Sequence, residues 1–257
     1  MKTHYKHILV KIKGTIGRLI FNRPDQLNAM NREMMDEIID GINSLNANDA
    51  VHVAIITGKG RAFMAGADIK EYGSQTPEQF KAFQDRGIAL YAAVEHAPKP
   101  WIAAINGFAL GGGFEIALSC DMILASETAK MGLPEVFLNL VPGGGGTQRL
   151  IQKMGANRAK ELLFTGGQYN AKTMQDWGVV NYVYPVEEFE ESVTNFAQKL
   201  SRRPSGAIKE LKKLVQLSLK PIPFKDKITV EGETVTNLFY SPEAKKAIQN
   251  FIDKNNT

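Results

Sequence analysis

An α/β fold with parallel strand pairing, followed by a purely helical C-terminal unit, is what this 257-residue sequence predicts. Three observations carry that expectation. Short β-like runs recur through the first two thirds of the chain, helical patterns separate most of them, and the strand-like runs stop at about Val186.

In chain order, His7–Lys13 and Ile16–Asn22 alternate or cluster β-favouring residues as strands do. Asn31–Leu45 follows as a helix, with Met34, Met35, Ile38, Ile39 and Ile42 at helical spacing. His52–Gly58 reads as the next strand, and Pro77–Ala92 as a helix whose Phe80, Phe83, Ile88 and Leu90 suggest a partly buried face. Trp101–Asn106, Asp121–Ala125 and Val179–Tyr184 complete the strands. Trp101–Asn106 leads into a glycine turn and then a helix starting near Gly112. Beyond Val186, Glu187–Ser201, Ala207–Lys220, Lys227–Tyr240 and Pro242–Lys254 read as helices. Ile208, Leu211, Val215 and Leu219 form an apolar stripe there, with Lys209, Lys212 and Lys213 on the outer face. The change of character divides the chain into an α/β core, residues 1–193, and a helical region, residues 194–257.

The bulk properties exclude several classes. A content of 44% apolar and 23% charged residues describes a globular chain with a sizeable core. A net charge of +4 suits an anionic small molecule and steers rather than specifies. The single cysteine, Cys120, forbids an intrachain disulfide, so a reducing compartment and a buried thiol are expected. The opening residues lack an apolar signal-peptide core and no apolar run reaches membrane-spanning length, so the expected location is the cytoplasm, with no membrane partner. The basic stretch Arg202–Lys227 matches no nucleic-acid-binding module and reads as a solvated helical face.

The chemistry concentrates around two acids. Glu115 ends the run G-F-A-L-G-G-G-F-E from Gly107, and Glu135 lies in M-G-L-P-E, just before P-G-G-G-G-T-Q-R-L from Pro142. Apolar segments flank both, and partial desolvation raises a carboxyl's pKa toward the range useful for proton transfer. The glycine runs fit neither the phosphate-loop nor the dinucleotide fingerprint. The four histidines have no metal-ligand spacing, and no serine nucleophile elbow is present. Gly112, at a helix start beside other glycines, offers an unpaired backbone N–H for a developing oxyanion. A second loop, Gly58–Glu71, places the small residues Ala65, Gly66 and Ala67 after a strand, with Lys70 close behind, and supplies a second such donor.

The ordered set of N-R-P-D-Q-L-N-A-M (Asn22–Met30), A-F-M-A-G-A-D-I-K-E (Ala62–Glu71), Gly107–Asp121, G-L-P-E (Gly132–Glu135) and P-G-G-G-G-T-Q-R-L resembles the crotonase superfamily, specifically the enoyl-CoA hydratases, over nearly the whole chain. That resemblance implies a spiral of ββα units followed by helices that build trimers, commonly paired into hexamers. It implies that Glu115 and Glu135 are the catalytic acids and that the N–H groups of Ala67 and Gly112 hold the thioester oxygen. Contacts to substrate and CoA are expected from Gln26, Leu27, Ala65, Gly66, Asp68, Ile69, Lys70, Gly111, Pro134, Gly143 and Lys254. The implied reaction is reversible syn hydration of a trans-2-enoyl-CoA, with the CoA thioester as substrate and no metal or redox cofactor. Two alternatives remain: a double-bond isomerase using Glu135 alone, and a non-catalytic RNA-binding or scaffold protein. Asp25, Asn139, Lys246 and Ala247 depart from the superfamily's usual pattern, which bears on substrate identity more than on reaction class.

Overall fold

The structure, a computed structural model, describes residues 4–255. It divides into two compact units, Met1–Arg202 and Arg203–Thr257. The first begins with β1 (Ile8–Lys13) and β2 (Ile16–Phe21), which form an antiparallel hairpin. A short 3-10 turn at Pro24–Gln26 leads into α1 (Arg32–Ala47), which starts where the Asn31 side chain accepts the Met34 N–H.

From there the order strand, strand, helix repeats. β3 (Val53–Gly58) and β4 (Ala62–Met64) precede α2 (Ile69–Tyr72) and α3 (Pro77–Glu95). β5 (Trp101–Ile105) and β6 (Phe108–Leu110) precede α4 (Gly112–Ser119). β7 (Met122–Ser126) and β8 (Lys130–Gly132) precede a 3-10 turn at Pro134–Leu138 and α5 (Gly146–Thr165). β9 (Tyr169–Asn170), α6 (Ala171–Asp176), β10 (Tyr182–Tyr184) and α7 (Phe189–Ser201) close the unit.

The first strand of each repeat enters a six-stranded sheet of order β1-β2-β3-β5-β7-β10, parallel from β2 onward. The second strand enters a four-stranded sheet of order β4-β6-β8-β9. Because successive side chains of a strand face opposite ways, the central strands of the larger sheet are apolar on both faces. Ala54, Ile56, Trp101, Ala103 and Ile105 join the main core with Met34, Ile38, Leu90 and Phe114. Val53, Ile55, Ile102 and Leu124 meet Phe189, Val193 and Ala197 of α7 on the other face.

Two sequence expectations are corrected here. The segment after Trp101–Asn106 is not only a glycine turn, because Phe108–Leu110 pairs in parallel with both β4 and β8. The division of the chain falls between Arg202 and Arg203, not at 193/194, a point that lies inside α7. The apolar stripe of α7 is buried on the sheet, so the helix belongs to the first unit although it is the first of the C-terminal helical run.

The second unit consists of α8 (Ser205–Ser218), α9 (Phe224–Phe239) and α10 (Pro242–Asn255). The stripe residues Leu211, Val215 and Leu219 are all more than half exposed, as are Phe239 and Phe251. Among the described residues, no helix is long and apolar enough to cross a membrane.

Candidate active site

The Asn22–Met30 motif is a clamp beneath one wall of the site. Asn28 is fully buried, and its side-chain amide donates to the carbonyls of Lys59, Ala62 and Phe63, while its oxygen accepts the Arg23 N–H. The Ala65 N–H then bonds to the Leu27 carbonyl, the Met30 N–H to Gly66, and the Asp68 N–H to Met30. Met30 and Ala67 thus form an isolated parallel bridge. In such a bridge the residues flanking Ala67 make the bonds to Met30, so the N–H of Ala67 itself points the other way. That other way is a pocket lined by Ala65, Gly66 and Ala67. Gly66 sits at φ +100°, a backbone conformation that a side chain would strain.

The opposite wall is the turn into α4. Gly111, at φ +51°, caps the helix, and its N–H is used by the Gly132 carbonyl. Gly112 is the first helical residue, so its N–H has no partner within the helix. Gly111, Gly112, Glu115, Pro134, Glu135 and Gly143 all face the same pocket as Ala67. A Cβ added at Gly111 would lie 3.7 Å from Gly66 Cα and 3.1 Å from Glu135 Oε1, which shows how closely the two loops and the second acid approach.

The two acids have different surroundings. Glu115 is 3% exposed. Its Oε1 accepts the N–H groups of Gly144 at 2.7 Å and Gly146 at 2.8 Å, which occupies both lone pairs of that oxygen. Its Oε2 lies 3.5 Å from the Tyr91 hydroxyl, a long contact. Burial pushes the Glu115 pKa up, opposed by the bonds from Gly146 and Gly144 and by the charge of Arg149. Glu135 stands on the 3-10 turn with Oε2 buried and without a hydrogen-bond partner. Burial raises its pKa to about 7, opposed by a hydrogen bond from its own backbone N–H and reinforced by the negative charge of Glu115.

A further layer holds Glu115 in place. Arg149 donates to the Gly144 carbonyl at 2.6 Å and to Glu95 at 2.7 Å, and its guanidinium lies 6.0 Å from the centre of the Tyr91 ring. The Gly144 loop that binds Glu115 is therefore itself anchored from α5 and α3.

Ten of the fifteen residues singled out from the sequence meet at this pocket, Ile69 among them. Gln26, Leu27, Asp68 and Lys70 do not reach its wall. Leu27 contributes its carbonyl to the clamp, while Asp68 pairs with Arg23 at 3.0 Å and accepts the Lys70 N–H at the start of α2. Gln26, on the 3-10 turn, and Lys70, on α2, are exposed, and Lys254 lies on α10 in the second unit. Tyr91, Gly144, Gly146 and Arg149 were not singled out. The signal for Tyr91 was available: Phe83, Gly87 and Tyr91 recur every fourth residue and put one face of α3 on the pocket. Among the described residues, no three or more His, Cys, Asp or Glu side chains gather as metal ligands do.

Solved structures share this architecture. An enoyl-CoA hydratase of Bacillus anthracis superposes with a TM-score of 0.93 at 32% identity, covering 97% of each chain. An enoyl-CoA hydratase subunit of Geobacillus kaustophilus gives 0.92 at 38% identity, covering 97% of this chain and 96% of its own. The fold is that of the crotonases. In sequence, residues 11–257 match the profile of the enoyl-CoA hydratase/isomerase family. A protein of Rhizobium meliloti named as a probable enoyl-CoA hydratase is 35% identical over 254 residues, 97% of this chain and 96% of its own length. A crotonyl-CoA hydratase of Syntrophomonas wolfei is 34% identical over 251 residues, with the same coverage. The chain belongs to the enoyl-CoA hydratase/isomerase family.

Proposed function

We propose that this chain is an enoyl-CoA hydratase that adds water reversibly to a trans-2-enoyl-CoA, giving a 3-hydroxyacyl-CoA. The observation that carries this reading is the pair of differently held carboxyls, Glu115 and Glu135, on one pocket that Ala67 and Gly112 also line.

Hydration needs a base for water at C3, an acid for C2, and donors for the enolate-like oxygen between the two events. Glu115 takes a proton from water as its oxygen bonds to C3. The C2=C3 electrons move toward the thioester carbonyl, whose oxygen is held by Ala67 and Gly112. Glu135, with a pKa of about 7, carries the proton that then reaches C2. Both acids lie on one pocket, which supports syn addition. These groups and the thioester substrate account for the whole reaction, with no cofactor called for. The family resemblance supports the CoA carrier, and Gln26, Leu27, Asp68 and Lys70, which lie off the pocket wall, would meet it outside the reacting centre.

The direct test is the purified protein with crotonyl-CoA. Appearance of 3-hydroxybutyryl-CoA is the expected result; double-bond migration in a 3-enoyl-CoA without hydration would favour the isomerase instead, and RNA retention without turnover the binding protein.

Assembly into a trimer or hexamer is part of the proposal, supported by the exposed apolar residues of α8 to α10 and by the usual closure of such contacts into rings. Light scattering at micromolar concentration tests it, and a stable, active monomer would refute it. Cytoplasmic residence is proposed with it, supported by the single buried thiol of Cys120.

A further inference from the structure

We infer that the Tyr91 hydroxyl, together with Glu115 Oε2, holds the reacting water of the proposed hydration and aims its lone pair at C3. This rests on the hydratase reading and adds a third group to its acid pair.

The two oxygens of Glu115 have different partners. Oε1 is saturated by the N–H groups of Gly144 and Gly146, so Oε2 is the oxygen left to work on a substrate. The group next to Oε2 is the Tyr91 hydroxyl, at 3.5 Å. At that distance the bond is weak, and the phenol keeps donor and acceptor capacity for a third party. The hydroxyl also sits beside the oxyanion loop: a Cβ built on Gly112 would lie 3.2 Å from it. Tyr91 therefore stands between the base and the N–H proposed for the thioester oxygen, on the wall of the same pocket.

Its position is enforced. The side chain is 5% exposed. Gly144 packs on the ring so closely that any Cβ there would collide with it and come within 2.7 Å of Glu115 Oε2. Arg149 covers the ring from beyond, fixed by Glu95 and the Gly144 carbonyl.

The hydroxyl is a neutral partner. Burial and the charge of Glu115 push its pKa well above the usual tyrosine value, against the opposing charge of Arg149 and with a smaller push from Glu135. Tyr91 thus remains a phenol and neither takes nor gives a proton in turnover. A water molecule has two hydrogens and two lone pairs. With one hydrogen on Glu115 Oε2 and the other on Tyr91 Oη, a lone pair is left facing C3. As that oxygen bonds to C3, the first hydrogen passes to Oε2 and the second remains on the new C3 hydroxyl, still against Tyr91. The reverse reaction uses the same contact to hold the departing hydroxyl.

Tyr91→Phe removes only this oxygen and tests the inference. Two rates are compared in the variant and the parent: hydration of crotonyl-CoA, and exchange of the C2 hydrogens of butyryl-CoA with deuterium oxide. Exchange needs Glu135 and the oxyanion donors but no water at C3. Loss of one hydrogen bond in a charged network is worth about a ten- to hundredfold rate. The expected result is that loss in kcat for hydration, with exchange within about twofold of the parent, an unchanged circular dichroism spectrum, and KM little altered. Hydration at the parental rate would overturn the inference. So would a parallel fall in hydration and exchange, which marks a ring needed only for packing. A parent protein that exchanges C2 hydrogens but never hydrates would sink the hydratase reading itself, and this inference with it.

Discussion

Glu115 rises from an eight-residue helix with one oxygen fixed by two backbone N–H groups, whereas Glu135 stands on a five-residue 3-10 turn with Oε2 buried and unbonded. Both acids are desolvated, yet only Glu115 is tied by the N–H groups of another loop. A carboxylate that accepts two amide bonds is steered toward its charged form and a single orientation, which suits a base that must aim at water. Glu135 has only its own backbone N–H to favour the anion, too little to offset burial, and its pKa of about 7 leaves it poised to hold or release a proton near neutrality. The difference teaches that two chemically identical side chains acquire separate surroundings from the backbone around them, the pattern expected of an acid and base sharing one site.

The largest effects should come from removing either acid. Glu115→Gln and Glu135→Gln are each expected to slow crotonyl-CoA hydration by at least about a hundredfold. The comparison predicts that they differ in a second assay. Exchange of the C2 hydrogens of butyryl-CoA with deuterium oxide should collapse in Glu135→Gln and survive largely intact in Glu115→Gln. Equal loss of exchange in both variants would break the division of labour.

Next in size is the feature the two acids share. Gly112→Val puts a side chain where even a Cβ stands 3.2 Å from Tyr91 Oη and 3.4 Å from Met30 Cε, and it displaces the N–H proposed for the thioester oxygen. Loss of one such donor costs roughly 3 kcal/mol of transition-state stabilisation, about a hundredfold in rate. Hydration and exchange should fall together here, with the folded circular dichroism spectrum retained. A valine variant active in both assays would remove the α4 turn from the mechanism.

A smaller and graded effect is expected from pH. In the proposed hydration Glu135 starts protonated and Glu115 ionised; in dehydration the roles reverse, so the productive enzyme of that proposal carries one proton on the pair in either direction. Losing that proton, with the pair's alkaline titration set near the Glu135 pKa of about 7, should lower kcat/KM about tenfold per pH unit above that point. Since hydration neither takes up nor releases protons, the alkaline limb must coincide for the two directions. A flat profile from pH 6 to 9, with chemistry limiting, would contradict the assigned state of Glu135.

The contrast between tied and untied sides also explains what the sequence made legible. The strands of the large sheet are five or six residues long except β10, β5 is a continuous apolar run and β3 opens with one of four residues, so period and composition exposed them. The four-stranded sheet that carries the pocket is built from strands of two or three residues, too short to show any period. Phe108–Leu110 therefore read as part of a glycine turn. Glu115, Glu135, Ala67 and Gly112 were legible through their glycine-rich motifs and the resemblance those motifs carry, and the structure brings them to one pocket. Tyr91 and Arg149 were not, because their contacts with Glu115 and Gly144 span 24 and 5 residues and depend on how α3, α4 and α5 pack. The expected division at 193/194 failed for a related reason. The apolar stripe of α7 marks an amphipathic helix without revealing that the surface it covers is β2, β3 and β7.

The smallest predicted effect is on stability, and it isolates the untied acid. The Glu135 carboxyl has an ordinary value of 4.5 and is raised to about 7 in the folded protein. Between those values the folded chain keeps a proton that the unfolded chain has released, so stability falls as pH rises through this window and levels off above it. Glu135→Gln has no proton to lose at that position. Its melting temperature relative to the parent should therefore climb from pH 4.5 to 7 and then hold steady, leaving the inactive variant the more stable protein at pH 8. The shift of Glu115 is present in both proteins and largely cancels from the difference. For a chain of this size about 1 kcal/mol moves the midpoint by roughly 2–4 °C, and partial solvent access to Glu135 keeps the gain to that order. Differential scanning calorimetry of the two proteins at pH 5, 6, 7 and 8 measures it. A difference that stays constant across that range would show that Glu135 is solvated like a surface acid, and the contrast with Glu115 would then rest on hydrogen bonding alone.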